Sequence, residues 1–263
     1  MYAKEQVYRV HDVHLNVVDV GEGSPALLFL HYWGGSSRTW APTMEHLSQA
    51  HRCVAIDFRG WGKSSKDSND HSLSTLASDV VGVIQALSLQ RYVIIGHSMG
   101  GKVAQIVAAR QPAGLLALVL FGPAPPTPMK VPEEVRQSYV GLYDTRQGAE
   151  TVIANLTPHA LPDAYHEQII EDALRAAPDA KRAWPQQGMI EDISSTTSKI
   201  SVPVHIIAGG DDSVEPEASL RESFGHMPGV ELAVIPGVGH IGPLEKPAAL
   251  ADAIRSALRR LTT

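Results

Sequence analysis

The chain has 263 residues, 44% of them hydrophobic and 19% charged, a balance that excludes disordered, collagen-like and low-complexity polymers and suits one α/β domain with an insertion. Lys and Arg number 22 against 28 Asp and Glu, a net charge of −6, so no net positive field draws in nucleic acid or an anionic membrane. The single cysteine, Cys53, cannot form an internal disulfide and lies in the apolar run Arg52-Cys53-Val54-Ala55-Ile56, which is compatible with a reducing compartment. The N-terminal Met1-Tyr2-Ala3-Lys4-Glu5-Gln6 lacks the apolar run of a secretory signal, and the longest apolar stretch, 113–121, falls short of the roughly 18 residues a membrane span needs. The expectation is a cytoplasmic protein with neither a nucleic-acid nor a membrane partner.

In chain order, 6–10 and 14–20 read as two edge strands joined by a tight turn at His11-Asp12, able to pair as an antiparallel hairpin. Short Val/Ile/Leu runs at 27–30, 53–58, 92–95, 115–121, 204–208 and 232–235 follow, separated by helical patterns at 40–49, 74–87, 99–110, 216–224 and 247–261. This alternation predicts a mostly parallel, eight-stranded sheet with helices on both faces. Between 123 and 200 it stops. Pro123, Pro125, Pro126, Pro128 and Pro132 open a segment with two or three amphipathic helices, Val135, Tyr139, Leu142 and Tyr143 on one stripe and Tyr165, Ile169, Ala173, Leu174 and Ala177 on another. The expected organisation is a core of 1–122 and 201–263, with 123–200 inserted after the sixth strand as a helical cap over the carboxyl end of the sheet.

The chemistry centres on Gly96-His97-Ser98-Met99-Gly100, a G-x-S-x-G between a strand and a helix. Such a turn pushes the serine hydroxyl out of the sheet, and the Met99 amide at the helix start is placed to bind a developing oxyanion. A serine nucleophile needs a base, and the base an orienting carboxylate. Strand 204–208 ends in Gly209-Gly210-Asp211-Asp212, and strand 232–235 in Pro236-Gly237-Val238-Gly239-His240, so His240 and either aspartate fall at the same sheet edge as Ser98. Other patterns carry less. Gly96 to Val103 imitates a phosphate-binding loop but has Val103 where a magnesium-binding hydroxyl belongs, and His166-Glu167 begins like a zinc helix without a second histidine. His11 and His14 read as surface residues, and no metal site or cofactor is expected.

The order Ser, Asp, His, the elbow, and two further segments together resemble the α/β-hydrolase-fold enzymes over nearly the whole chain. The segments are Asp57-Phe58-Arg59-Gly60-Trp61-Gly62-Lys63-Ser64, similar to D-x-R-G-x-G-x-S, and His240-Ile241-Gly242-Pro243-Leu244-Glu245-Lys246-Pro247, similar to H-x4-E-x-P. The resemblance implies that Asp212, third after Gly209 and four before Pro216, is the orienting acid rather than Asp211. It also implies that the Trp33 amide is the second oxyanion donor. Here His31-Tyr32-Trp33-Gly34-Gly35 departs from the usual H-G-x-G by placing Tyr32 at the first glycine.

The implied activity is cofactor-free cleavage of a small carboxylic ester or lactone through an acyl-enzyme. Ser98 is the nucleophile, His240 the base and Asp212 the orienting acid. Ser98-Met99-Gly100 is also common in haloperoxidases or perhydrolases of this fold. Carbon–carbon bond hydrolases often carry Trp where Ile241 stands, and a non-catalytic small-ligand receptor usually lacks part of the triad. Tyr32, His97, Tyr139, Tyr143, Trp184 and Met189 are the residues expected at the substrate pocket, while His31 and His97 are expected to hold loops by hydrogen bonds. Oligomeric state is not readable from the sequence.

Overall fold

The computed structural model describes residues 3–227 and 229–261; Met1 and Tyr2, which open the stretch read for a secretory signal, lie outside them. The strands are β1 (Lys4–Val10), β2 (Val13–Val20), β3 (Ala26–Leu30), β4 (Cys53–Ile56), β5 (Tyr92–His97), β6 (Leu115–Phe121), β7 (Val204–Gly209) and β8 (Glu231–Ile235). They form one sheet in the order β1-β2-β4-β3-β5-β6-β7-β8. The β1–β2 hairpin closes at His11, where φ is 53°. β2 also pairs antiparallel with β4, so it is an inner strand and only β1 lies at that edge. From β4 to β8 every pairing is parallel.

All residues of β3, β4 and β5 are buried. Their continuous apolar runs follow from coverage on both faces, as a parallel sheet requires. The helices of the first half are α1 (Ala41–Leu47), α2 (Leu73–Ala86) and α3 (Met99–Ala109). Between β6 and β7 the chain forms α4 (Glu133–Ser138), α5 (Arg146–Leu156), α6 (Asp163–Arg175), α7 (Pro178–Ala183) and α8 (Ser194–Thr197), and among the described residues no strand intervenes. After β7 come α9 (Glu217–Phe224), α10 (Gly242–Glu245) and α11 (Pro247–Arg259). Trp40, Met44 and Leu47 share a core with Leu250, Ile254 and Leu258, so α1 and α11 cover one face. Leu76, Val80 and Val83 pack with Val103 and Val107 on the other, joined there by apolar residues of the insertion.

The insertion differs from its two-stripe expectation. Residues 135–143 do not make one helix, because α4 ends at Ser138 and the chain turns at Gly141, with φ 89°, before a 3₁₀ turn at Leu142–Asp144. α5 was outside both stripes; Thr145 caps it by accepting from the Gly148 amide at 3.1 Å. No helix among the described residues is long and apolar enough to cross a membrane.

Candidate active site

Ser98 occupies the turn from β5 into α3 with φ 52° and ψ −118°, a backbone that costs a non-glycine residue roughly 1–3 kcal/mol. Local bonds hold it there. Its carbonyl accepts from the amides of Gly101 (2.8 Å), Lys102 (3.1 Å) and Ala124 (3.1 Å), and its own amide donates to the Phe121 carbonyl at 3.2 Å. A Cβ on Gly100 would come within 2.5 Å of the Leu30 and His31 carbonyl oxygens, so α3 can start this close to β3 only with glycine there. Met99 opens α3, where first-turn amides have no carbonyl partner inside the helix.

Beyond the ends of β7 and β8, the His240 Nδ1–H donates to Asp212 Oδ2 at 2.7 Å, and both side chains are buried. Asp212 Oδ1 accepts from the Val214 (2.8 Å) and Glu215 (2.9 Å) amides. Burial alone would raise the Asp212 carboxyl; the His240 charge and hydrogen bond, with those two amides, pull it below the usual carboxylate range. Asp211 faces outward and pairs with exposed His159 at 3.0 Å. The main chain of His240 is gripped from two sides, its amide donating to the Leu156 carbonyl of the insertion and its carbonyl accepting from the His97 Nε2–H, each at 2.7 Å. Glu245 clamps the same loop by accepting from the Gly239 (2.8 Å) and Ile241 (3.0 Å) amides. This gives the Glu of the H-x4-E-x-P segment a physical job.

The loop after β3 is ordered by His31. Its Nδ1–H donates to the Tyr32 carbonyl at 2.7 Å, and its Nε2 accepts from the Phe58 amide at 3.1 Å. The Gly35 amide also reaches the Tyr32 carbonyl, at 3.1 Å. Because the peptide group is planar and trans, fixing that carbonyl turns the Trp33 N–H the opposite way. Burial pushes the His31 imidazole down to about 4 against the smaller opposing effects of the Tyr32 bond and Asp57. His97 is lowered well below its ordinary value, first by burial and then by the proximity of His240. Both rings are therefore neutral at pH 7.

Ser98 and His240 line one cavity of about 490 Å³, whose wall also includes Tyr32, Trp33, Tyr139, Trp184 and Met189. Of the residues expected at the pocket, His97 and Tyr143 are not in this wall. His97 is fully buried among the rings of Tyr32, Phe121 and His240 at 5.0–5.3 Å, and Tyr143 lies behind Trp33 with ring centroids 4.2 Å apart. Tyr32 contributes to the wall while remaining 2% exposed, its buried hydroxyl without a hydrogen-bond partner among the described residues. A larger groove of about 680 Å³, lined by His11, Arg110 and residues of α2, contains none of the predicted site residues. Among the described residues no three His, Cys, Asp or Glu side chains gather so as to hold a metal ion.

The profile of the alpha/beta hydrolase family matches residues 27–253. The chain belongs to this family. It is 27% identical over 238 residues to the 2-(acetamidomethylene)succinate hydrolase of Mesorhizobium japonicum, covering 87% of this chain and 85% of that one. A non-heme chloroperoxidase of Streptomyces lividans is 30% identical over 223 residues, covering 75% and 77%. Among solved structures, the esterase EaEST of Exiguobacterium antarcticum superposes with a TM-score of 0.89 at 21% identity, covering 97% of this chain and all of that one. The last likeness establishes the fold alone.

In this hydrolase-family chain, Met129, Val152, Leu156 and Val214 also line the cavity; none was expected there from sequence. A signal for two of them exists: Ala149, Val152, Ile153 and Leu156 follow the i, i+3, i+4, i+7 spacing of a buried helix face. Glu215 and Lys102 were also missed. Both are buried near the Asp212 loop, the carboxyl pushed up to about 8 by burial and by the Asp212 charge, the ammonium lowered to about 8 by burial. Lys102 Nζ donates to the Glu191 carbonyl at 2.6 Å.

Proposed function

We propose that the chain is a serine hydrolase cleaving a small carboxylic ester or lactone through an acyl-enzyme. The observation that carries this reading is the meeting, in one cavity wall, of a serine on a strained strand-to-helix turn with a histidine whose far nitrogen is bonded to a buried carboxylate. With Nδ1–H committed to Asp212, the free nitrogen of neutral His240 is Nε2, the tautomer a general base requires. His240 takes the Ser98 proton as Oγ attacks the carbonyl carbon. The Trp33 and Met99 amides bind the oxyanion, and the imidazolium then protonates the departing alkoxide. Water, deprotonated by His240, releases the acid and restores Ser98. Asp212 orients and stabilises the imidazolium without taking its proton.

A fluorophosphonate probe tests the reading: it should label wild type once, fail to label Ser98→Ala, and abolish turnover of p-nitrophenyl esters or lactones. Retention of more than a tenth of the activity by Ser98→Ala would refute the nucleophile assignment. Perhydrolysis is the second reading, favoured by the Ser98-Met99-Gly100 turn and by the likeness to a protein described as a bifunctional esterase/perhydrolase of Acinetobacter calcoaceticus. It predicts that hydrogen peroxide competes with water for the acyl-enzyme and yields a peracid.

A further inference from the structure

We propose that Tyr143 and Lys181, both in the helical insertion, are positioning residues for the oxyanion-binding loop: the core sets one peptide group beside Trp33, the insertion holds the other, and full alignment of the Trp33 donor needs both. This rests on the reading of Trp33 as an oxyanion donor. The two peptide groups flanking Trp33 are held from different sides. The Tyr32 carbonyl is fixed from within the core by His31 and Gly35. The Trp33 carbonyl instead accepts from the Tyr143 hydroxyl at 3.2 Å, and the Trp33 indole N–H donates to the Lys181 carbonyl at 2.9 Å.

The partners then close on each other. Lys181 Nζ donates to the Tyr143 carbonyl at 2.8 Å, to the Leu174 carbonyl at 3.2 Å, and pairs with Asp144 at 3.3 Å. Trp33 to Lys181, Lys181 to Tyr143 and Tyr143 back to Trp33 make a circuit of three residues, with no member more than 8% exposed. The Trp33 and Tyr143 rings pack at 4.2 Å, and the Tyr143 hydroxyl leaves no room for a Cβ at Gly34, whose φ is 99°. Burying an ammonium is costly unless its donors are satisfied. Here its acceptors are two main-chain carbonyls and a carboxylate of the insertion, so the charge ties α6 and α7 to the tyrosine that touches the loop.

Tyr143→Phe keeps the ring against Trp33 and removes only the hydroxyl. With active sites counted by fluorophosphonate titration, kcat for a p-nitrophenyl ester should fall roughly three- to tenfold, the range of one neutral hydrogen bond, with KM within twofold. Inhibition by phenylboronic acid, whose tetrahedral serine adduct places an oxygen at the oxyanion position, should weaken by the same factor. The acid limb of the pH profile should not move, because Asp212 and His240 are untouched. Lys181→Met should act in the same direction, and the double variant should lose less than the product of the two losses, as members of one network do. A kcat loss below threefold, unchanged boronate inhibition, or fully multiplicative losses would overturn the coupling. Wild type that the probe fails to label would overturn the serine-hydrolase reading itself; labelled wild type with an unaffected Tyr143→Phe would overturn only this one.

Discussion

Asp212→Asn changes one atom at the centre of the proposed machinery, and the surrounding bonds dictate how the new amide must sit. Asp212 Oδ1 accepts two backbone amides, at 2.8 and 2.9 Å, while Oδ2 accepts the His240 Nδ1–H at 2.7 Å. Asparagine keeps both amide bonds only with its oxygen toward Val214 and Glu215. The opposite orientation forfeits them, at about 1 kcal/mol each, and sets N–H against N–H. The NH₂ therefore faces His240 and donates to Nδ1, which moves the imidazole proton to Nε2. A protonated Nε2 cannot accept the Ser98 proton. The same tautomer inversion in the serine-protease triad costs about 10⁴ in kcat, and ~10³–10⁴ is expected here, or ~4–5.5 kcal/mol of transition-state stabilisation. The assay is kcat/KM on a p-nitrophenyl ester, with folding checked by circular dichroism. Asp211→Asn is the internal comparison. Its side chain is 43% exposed and pairs with similarly exposed His159, so it should stay within a few-fold of wild type. A tenth or more of wild-type activity in Asp212→Asn, or a larger loss in Asp211→Asn, would refute the assignment.

A Cβ at Gly122 would lie 3.0 Å from Asp212 Oδ2 and 3.1 Å from His240 Nδ1, on a backbone with φ 44°. Gly122→Ala should therefore displace that pair and lower kcat roughly 10- to 100-fold; a kcat within threefold of wild type would show that the pair tolerates the methyl. Glu215 is raised from 4.5 to about 8 by burial, then by Asp212, against the smaller pull of Lys102. Between those values the unfolded chain releases a proton that the folded chain keeps, so this group lowers stability as pH rises, by at most ~5 kcal/mol. Glu215→Gln should accordingly be more stable than wild type at pH 8 by urea unfolding, with the gain fading toward pH 5; an equal gain at both pH values would contradict the titration. Burial holds His31 at about 4 and keeps His97 well below the ordinary imidazole value, so neither ring gains a proton near neutral pH. The acid limb of kcat/KM should therefore show the slope of a single proton, and a two-proton slope would assign a second histidine to the mechanism.

What could be read from the sequence follows the range of the interactions involved. The Ser98 turn is local, with strand, serine, glycines and helix start contiguous, and the structure places it between β5 and α3 as the pattern requires. Asp211 and Asp212 defeat a local reading, since each is acidic, follows the same strand and suits a turn. The family spacing favours Asp212, and the physical reason lies in the three-dimensional path, which buries Asp212 and exposes Asp211. The insertion was legible as helical but not in its pieces, because Gly141 breaks a stripe that periodicity alone would continue. Tyr139 and Tyr143 show the same limit. The spacing of four puts them on one face, yet Tyr139 reaches the cavity and Tyr143 turns behind Trp33. Periodicity identifies a buried face and does not say which neighbour buries it.

Several buried polar groups of this chain lie around the strained Ser98 turn, and the way they are paired explains how both are sustained. His31, His97 and Lys181 are all at most 7% exposed; the first two hydrogen-bond the main-chain carbonyls of Tyr32 and His240 in loops at the site, and Lys181 does so for Tyr143 in the turn behind Trp33. A buried imidazole kept neutral avoids the cost of an ion and still fixes a peptide plane by donating one hydrogen bond. The loops at the carboxyl ends of β3 and β8 have no strand partners along these peptides, so side chains supply bonds that a sheet would have supplied. Glu245 does the same from the far side of the His240 loop, and three amides do it for the Ser98 carbonyl. The costly conformation at Ser98 is thus fixed by local backbone bonds, while the residues facing it across the cavity are fixed by buried side chains. In the proposed reaction, that division leaves the Ser98 hydroxyl and His240 Nε2 as the groups free to move a proton.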